Sequence, residues 1–106
     1  MPKYLWRASY SAEGAKGVLK EGGTGRREAV EKVLADVGGT LEAFYFGFGE
    51  DDAIAIVELP DHVTAAAVSL AVGSTGMVNV KTTVLLTPEE IDRAAKTSIA
   101  YRGPGK

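Results

Sequence analysis

The chain has 106 residues, 45% of them hydrophobic and 25% charged, with 12 Lys+Arg against 14 Asp+Glu and a formal net charge of -2. That length suits one globular domain with a single core, and the slight acidic balance argues against a dedicated nucleic-acid binder, which carries a basic excess on one face. The absence of cysteine excludes disulfides, thiolate metal sites and cysteine nucleophiles.

The start, MPKYLWRASY, holds no apolar segment of the length a secretory signal needs. No run approaches the ~18 apolar residues of a membrane span. A cytoplasmic protein without a membrane partner is the expectation. Tyr4 to Tyr10 reads as a first strand, with Tyr4, Trp6 and Ala8 on one side and Leu5, Arg7 and Ser9 on the other. Ser11 caps a helix whose apolar stripe is Ala12, Ala15, Val18 and Leu19. Gly14 and Gly17 weaken that helix unless they permit close contact with the sheet. Gly22-Gly23 ends the piece. Thr24 then caps a second one, carrying Ala29, Val30, Val33, Leu34 and Val37, which Gly38-Gly39 closes.

Leu41 to Leu59, LEAFYFGFGEDDAIAIVEL, reads as two strands joined by the acidic turn Gly49-Glu50-Asp51-Asp52. Leu41, Ala43 and Tyr45 are expected on one face, with Phe44, Phe46 and Phe48 on the other; Ile54 and Ile56 oppose Ala53, Ala55 and Val57. Neither strand alternates apolar with polar, so both faces want cover. Asp61 caps a helix burying Val63, Ala66, Ala67, Leu70 and Ala71, and Gly73 to Gly76 end it. Met77 to Leu86 is a fourth strand, with Val78, Val80, Thr82 and Val84 opposite Asn79, Lys81, Thr83 and Leu85. Thr87-Pro88-Glu89-Glu90 then starts a short last helix through about Lys96. Residues 102–106 form a flexible tail. The order is β-α-β-β-α-β plus a terminal helix, an α+β, ferredoxin-like pattern with a four-stranded antiparallel sheet. Helices cover one face of such a sheet. Pairing the open faces of two copies would cover the other, with the terminal helix as the rival cover.

Three segments, YLWRASYSAEGAKGVLKEGG, GGTLEAFYFGFGEDDAIAIVELPD and TTVLLTPEE, resemble the GYD domain family over nearly the whole length. Gly49 and Asp52 match the Gly-x-Tyr-Asp pattern of the hairpin turn, while Asp51 stands at the tyrosine position. The resemblance implies a single ferredoxin-like domain of the dimeric α/β-barrel type and no established activity. The hairpin and fourth strand are also similar to the effector-binding domain of Lrp/AsnC-type regulators, a likeness that covers no DNA-binding part.

First and fourth strands are neighbours in this fold, so Arg7, Ser9, Asn79, Lys81 and Thr83 are expected on one sheet face. Like charges across strands are unfavourable, and a carboxylate or phosphate would hold Arg7 and Lys81 together. The plainer reading pairs each with Glu42, Glu58 or a partner subunit's acid. Glu50, Asp51 and Asp52 cannot all face one ion from a tight turn, so they read as solvated and no metal is expected. His62, the single histidine, sits just past a cap and reads as exposed rather than as a general base. Gly22 to Arg27 fits no phosphate-loop motif. Tyr4, Trp6 and Tyr10 read as packing before ligand stacking. The sequence thus points to a cofactor-free small homo-oligomer that binds a small anionic metabolite without catalysis. The alternative is a cofactor-free oxygenase or isomerase with His62 or a tyrosine as base.

Overall fold

The helix starts are decided by side-chain caps. Ser11 Oγ accepts from the Gly14 N–H, Asp61 Oδ1 accepts from the Thr64 N–H at 2.7 Å, and Thr87 and Glu90 form a reciprocal capping box. In the computed structural model, which describes residues 1–47 and 49–106, these caps open α1 (Ala12–Asp36), α2 (His62–Gly73) and α3 (Pro88–Lys96). Strands β1 (Lys3–Tyr10), β2 (Thr40–Phe46), β3 (Ala53–Glu58) and β4 (Val78–Leu85) form an antiparallel sheet in the order β2-β3-β1-β4. This is the ferredoxin-like α+β arrangement with a C-terminal helix.

Two-residue alternation assigns the faces of β1 and β4 as their patterns imply. Tyr4 and Trp6 pack with Ala55, Val57 and Leu59 against Leu34 of α1 and Ala65 and Val68 of α2. Leu5, Arg7 and Ser9 turn to the open face. In β2 the expected faces fail at one point. A bulge between Leu41 and Ala43 sets Leu41 opposite Val57, on the helix side, and leaves Ala43 and Tyr45 opposite Ile56 and Ile54 on the open side. One extra residue, Glu42, moves everything before it to the other face. Phe44 and Phe46 share the helix side; Phe48, grouped with them above, lies outside the described residues.

The helices depart further. α1 breaks at Gly22, whose φ of 79° and ψ of 167° are non-helical, so Thr24 lies inside the second segment rather than at its cap. That second segment packs. The first stands off, with Leu19 85% exposed and Ala12 and Ala15 also exposed, so its stripe does not enter the core. α2 buries Ala65 and Val68, and Val72 packs beside them, while Val63 and Leu70 are 79% and 74% exposed. The expected stripe of α2 is therefore the outer one. HVTAAAVSLAVG is apolar almost all round, so periodicity cannot select which side meets the sheet. α3 makes no extensive contact with any other described element and does not lie over the open face. The radius of gyration, 16.9 Å, exceeds the ~13 Å of a compact 106-residue domain accordingly.

Gly14 and Gly17 separate cleanly. A Cβ on Gly14 would sit 2.2 Å from the Met77 carbonyl oxygen, a backbone atom, whereas one on Gly17 would meet nothing within 4 Å. Gly14→Ala is expected to destabilise by about 1–3 kcal/mol through overpacking, and Gly17→Ala to stabilise by up to about 1 kcal/mol through helix propensity. Urea midpoints of the two variants check this, and equal signs would refute the assignment.

Candidate functional site

The register groups the open face into rows across the sheet. One row runs Tyr45, Ile54, Arg7, Lys81; the next runs Ala43, Ile56, Leu5, Thr83. Ser9 lies directly opposite Asn79, one step beyond Arg7. Arg7, Ser9, Asn79, Lys81 and Thr83 thus occupy one face of β1 and β4, beside an apolar half contributed by β2 and β3. Arg7 and Lys81 are direct cross-strand neighbours, where like charges repel. The only acid paired with either, among the described residues, is Asp51, 3.9 Å from the Arg7 guanidinium. Glu42 and Glu58 are engaged elsewhere. Both pair with Lys3 at the far end of the face, and the two carboxylates, Glu42 foremost, push the Lys3 ammonium well above its ordinary range.

The acidic turn is a structural clasp. Gly49 takes a φ of 139°, a backbone that only glycine adopts readily. Asp52 Oδ2 accepts from the Tyr10 N–H at 2.8 Å, and the Asp52 N–H donates to the Ala8 carbonyl. Gly47 N–H donates back to the Asp52 carbonyl. Asp52 therefore ties the hairpin tip to the end of β1. No group of three or more His, Asp or Glu that could hold a metal occurs among the described residues.

His62 is exposed at the start of α2, and its Nδ1 lies 2.6 Å from the hydroxyl of buried Tyr4, which donates to it in the Nε2–H tautomer of the imidazole. Burial, with a smaller push from Asp61, raises the Tyr4 phenol. Burial likewise raises Tyr10, which half-lines the cavity described next. Phenols held protonated are poorly placed as general bases.

On the helix side lies a cavity of ≈ 120 Å³ between the sheet, α2 and the second segment of α1. Its floor is small, with Ala8, Ala53 and Ala55 on adjacent strands, so the side chains of two helices cannot fill it. A sealed hollow of that size would cost about 3 kcal/mol at ~24 cal/mol per Å³. Tyr10, Arg26 and Ser69 are the polar residues of its lining besides Trp6. Arg26 reaches back across the Gly22 break to Glu21, at 3.1 Å, and Arg27 pairs with Glu31 at 3.8 Å, so neither arginine is part of a phosphate cradle. The Trp6 indole N–H is buried with no hydrogen-bond partner among the described residues. Sequence reading counted Trp6 and Tyr10 as packing and did not associate Arg26 with them. The one available signal was the run of alanines on adjacent strands.

Two outcomes check this account. Asp52→Ala removes a partner from a part-buried N–H and is expected to cost about 1–3 kcal/mol, whereas Asp51→Asn should stay within about ±0.5 kcal/mol; equal losses in chemical denaturation would contradict the clasp. Because the folded-state pKa of Tyr4 is raised, its contribution is full below the ordinary phenol value near 10 and is lost as pH climbs past it. Tyr4→Phe should flatten the fall in melting temperature above pH 10, and an unchanged slope would exclude Tyr4 as its source.

No helix among the described residues is long and apolar enough to cross a membrane. No curated protein and no solved structure matches the chain. The GYD domain profile matches residues 4–95, from the second residue of β1 to the last turn of α3. With the strand order, the helical layer and the glycine and aspartate of the hairpin turn all in place, the chain belongs to the GYD domain family.

Proposed function

We propose that this GYD domain self-associates through its open sheet face and there binds a small anion without catalysis. One observation carries the reading: Arg7 and Lys81 are direct cross-strand neighbours on a face that no helix covers. An anion between them would neutralise the repulsion, with Ser9, Asn79 and Thr83 supplying hydrogen-bond groups around it. The Arg7 guanidinium offers the planar two-point contact suited to a carboxylate or phosphate.

Surface area supports the association. The chain exposes 7433 Å², against about 5,650 Å² for a compact monomer of 11.1 kDa. The excess, roughly 1,800 Å², exceeds the ~800 Å² per partner of a standard interface. Part of it is the apolar half of the open face, where Tyr45 is 71% exposed and Ile54 is exposed beside it. Among the described residues Tyr45 is the one aromatic of β2 on that patch, because Phe44 and Phe46 turn to the helices. The exposed Leu86, Ile91, Ile99 and Tyr101 of the C-terminal segment contribute another part.

A cofactor-free enzyme using His62 or a tyrosine as base finds less support. Tyr4 and Tyr10 have raised phenols, and the His62 nitrogen that faces the protein is occupied by Tyr4. Sedimentation at micromolar concentration should give at least twice the 11.1 kDa chain mass, and Tyr45→Glu should return it toward one chain. A wild-type species of one chain mass refutes the association. Phosphate should raise the melting temperature of the wild type and do so less for Lys81→Ala; an identical shift in both refutes the anion site.

A further inference from the structure

We propose that a second copy of this chain docks its C-terminal arm, α3 with the residues around it, on the outer face of α2. The contact uses neither the open sheet face nor the anion strip, so it stands apart from the anion-binding reading. Val63, Ala66, Ala67, Leu70 and Ala71 form the stripe that helical spacing marks for burial, yet all five are exposed. The sheet takes Ala65 and Val68 instead. A helix on the surface of a monomer ordinarily carries charge on its outer face. This one carries none, and no residue from Val63 to Val80 is charged.

The arm is the complementary piece. α3 has nine residues, and helices shorter than about 12–15 residues are marginal in water without packing. The Thr87/Glu90 capping box starts it, but no other described element of its own chain makes extensive contact with it. Ile91, Ala94 and Ala95 lie at i, i+3 and i+4 on one side, and Ile99 and Tyr101 follow; all are exposed. Glu89, Asp92, Arg93 and Lys96 fall on the other side, so docking through Ile91 buries no charge. On α2, Ala66 and Ala67 between Val63 and Leu70 leave the shallow grooves into which a second helix packs closely. Both surfaces belong to every copy and stay apart within one. Area permits the contact beside the open-face one. Of the roughly 1,800 Å² by which the chain exceeds a compact monomer, an interface of ~800 Å² on the open face uses less than half. A two-fold pairing sets each arm on the other copy's α2 and covers both surfaces at once.

The chain has no cysteine, so introduced thiols report contacts without background. The test mixes Leu70→Cys with Ile91→Cys, one of them mass-tagged, at submillimolar concentration and joins them with a short bismaleimide. Both carry Tyr45→Glu, which removes the open-face contact. Leu70, Ile91 and Tyr45 are all exposed, so the fold is left alone. The expected product is a covalent pair holding one chain of each kind. Val63→Glu in the Leu70→Cys chain should cut its yield about tenfold by setting a charge against apolar surface. A mixed yield no higher than that of a control with Lys16→Cys in place of Leu70→Cys overturns the docking, as does a yield that Val63→Glu leaves unchanged. Two other products also overturn it. A single chain linked to itself in the Leu70→Cys/Ile91→Cys double variant places the arm on its own α2, and a Leu70→Cys pair that outweighs the mixed one places α2 against α2. Wild type sedimenting as one chain at micromolar concentration refutes the open-face association and moves none of these readings, so the two contacts fail or stand separately.

Discussion

Apolar side chains on both faces of the central strands are the constraint that the rest of the molecule answers. β1, β2 and β3 carry Tyr4, Trp6, Phe44, Ala55 and Val57 on one side and Leu5, Tyr45, Ile54 and Ile56 on the other. Two helices cover the first set. Burial of a Val, Leu or aromatic side chain stabilises by ~1.5–3 kcal/mol, so the covered set alone accounts for much of the driving force. No helix among the described residues covers the second set, and α3 stands away from it. A sheet of this kind is half a sandwich.

The covered side is itself underfilled, and the reason is local. α1 is bent at Gly22, so its second segment supplies the core contacts, with Leu34 fully buried and Val30 and Val37 beside it, while the first is buried at Gly14 alone. α2 meets the sheet through Ala65, Val68 and Val72, small or β-branched residues. Opposite them stand the alanines of β1 and β3. Small residues facing small residues leave space, and Trp6 forms part of its wall. A core that served stability alone would fill that volume, since close packing is the norm in protein interiors.

The hairpin turn couples the two sides. Asp52 is clasped by backbone groups of Ala8 and Tyr10, which line the cavity, and its neighbour Asp51 reaches toward Arg7 on the open face. Gly49 makes the turn possible by its positive φ. The family's glycine and aspartate thus have a conformational and a hydrogen-bonding role here. The tyrosine position, occupied by Asp51, faces the charged strip, so the departure from the motif falls at the side chain nearest Arg7.

The amino-acid sequence determined what depends on neighbours within a few residues. Ser11, Asp61 and the Thr87/Glu90 pair cap their helices because the groups they satisfy lie three residues away. The faces of β1 and β4, and with them the grouping of Arg7, Ser9, Asn79, Lys81 and Thr83, follow from unbroken two-residue alternation and adjacency in the fold. Tertiary structure decided everything that hinged on a competing partner far along the chain. The bulge at Glu42 moves Leu41 to the helix side, and Lys3, 39 residues away, pairs with the displaced carboxylate. α2 is apolar on both sides, so only the sheet chooses between Ala65 with Val68 and Val63 with Leu70. Gly14 is tight and Gly17 free because Met77 lies against one alone. The cavity is lined from six elements, among them Trp6 of β1, Arg26 of α1, Phe44 of β2 and Val68 of α2, and no spacing in the sequence encodes a space that six elements together fail to fill.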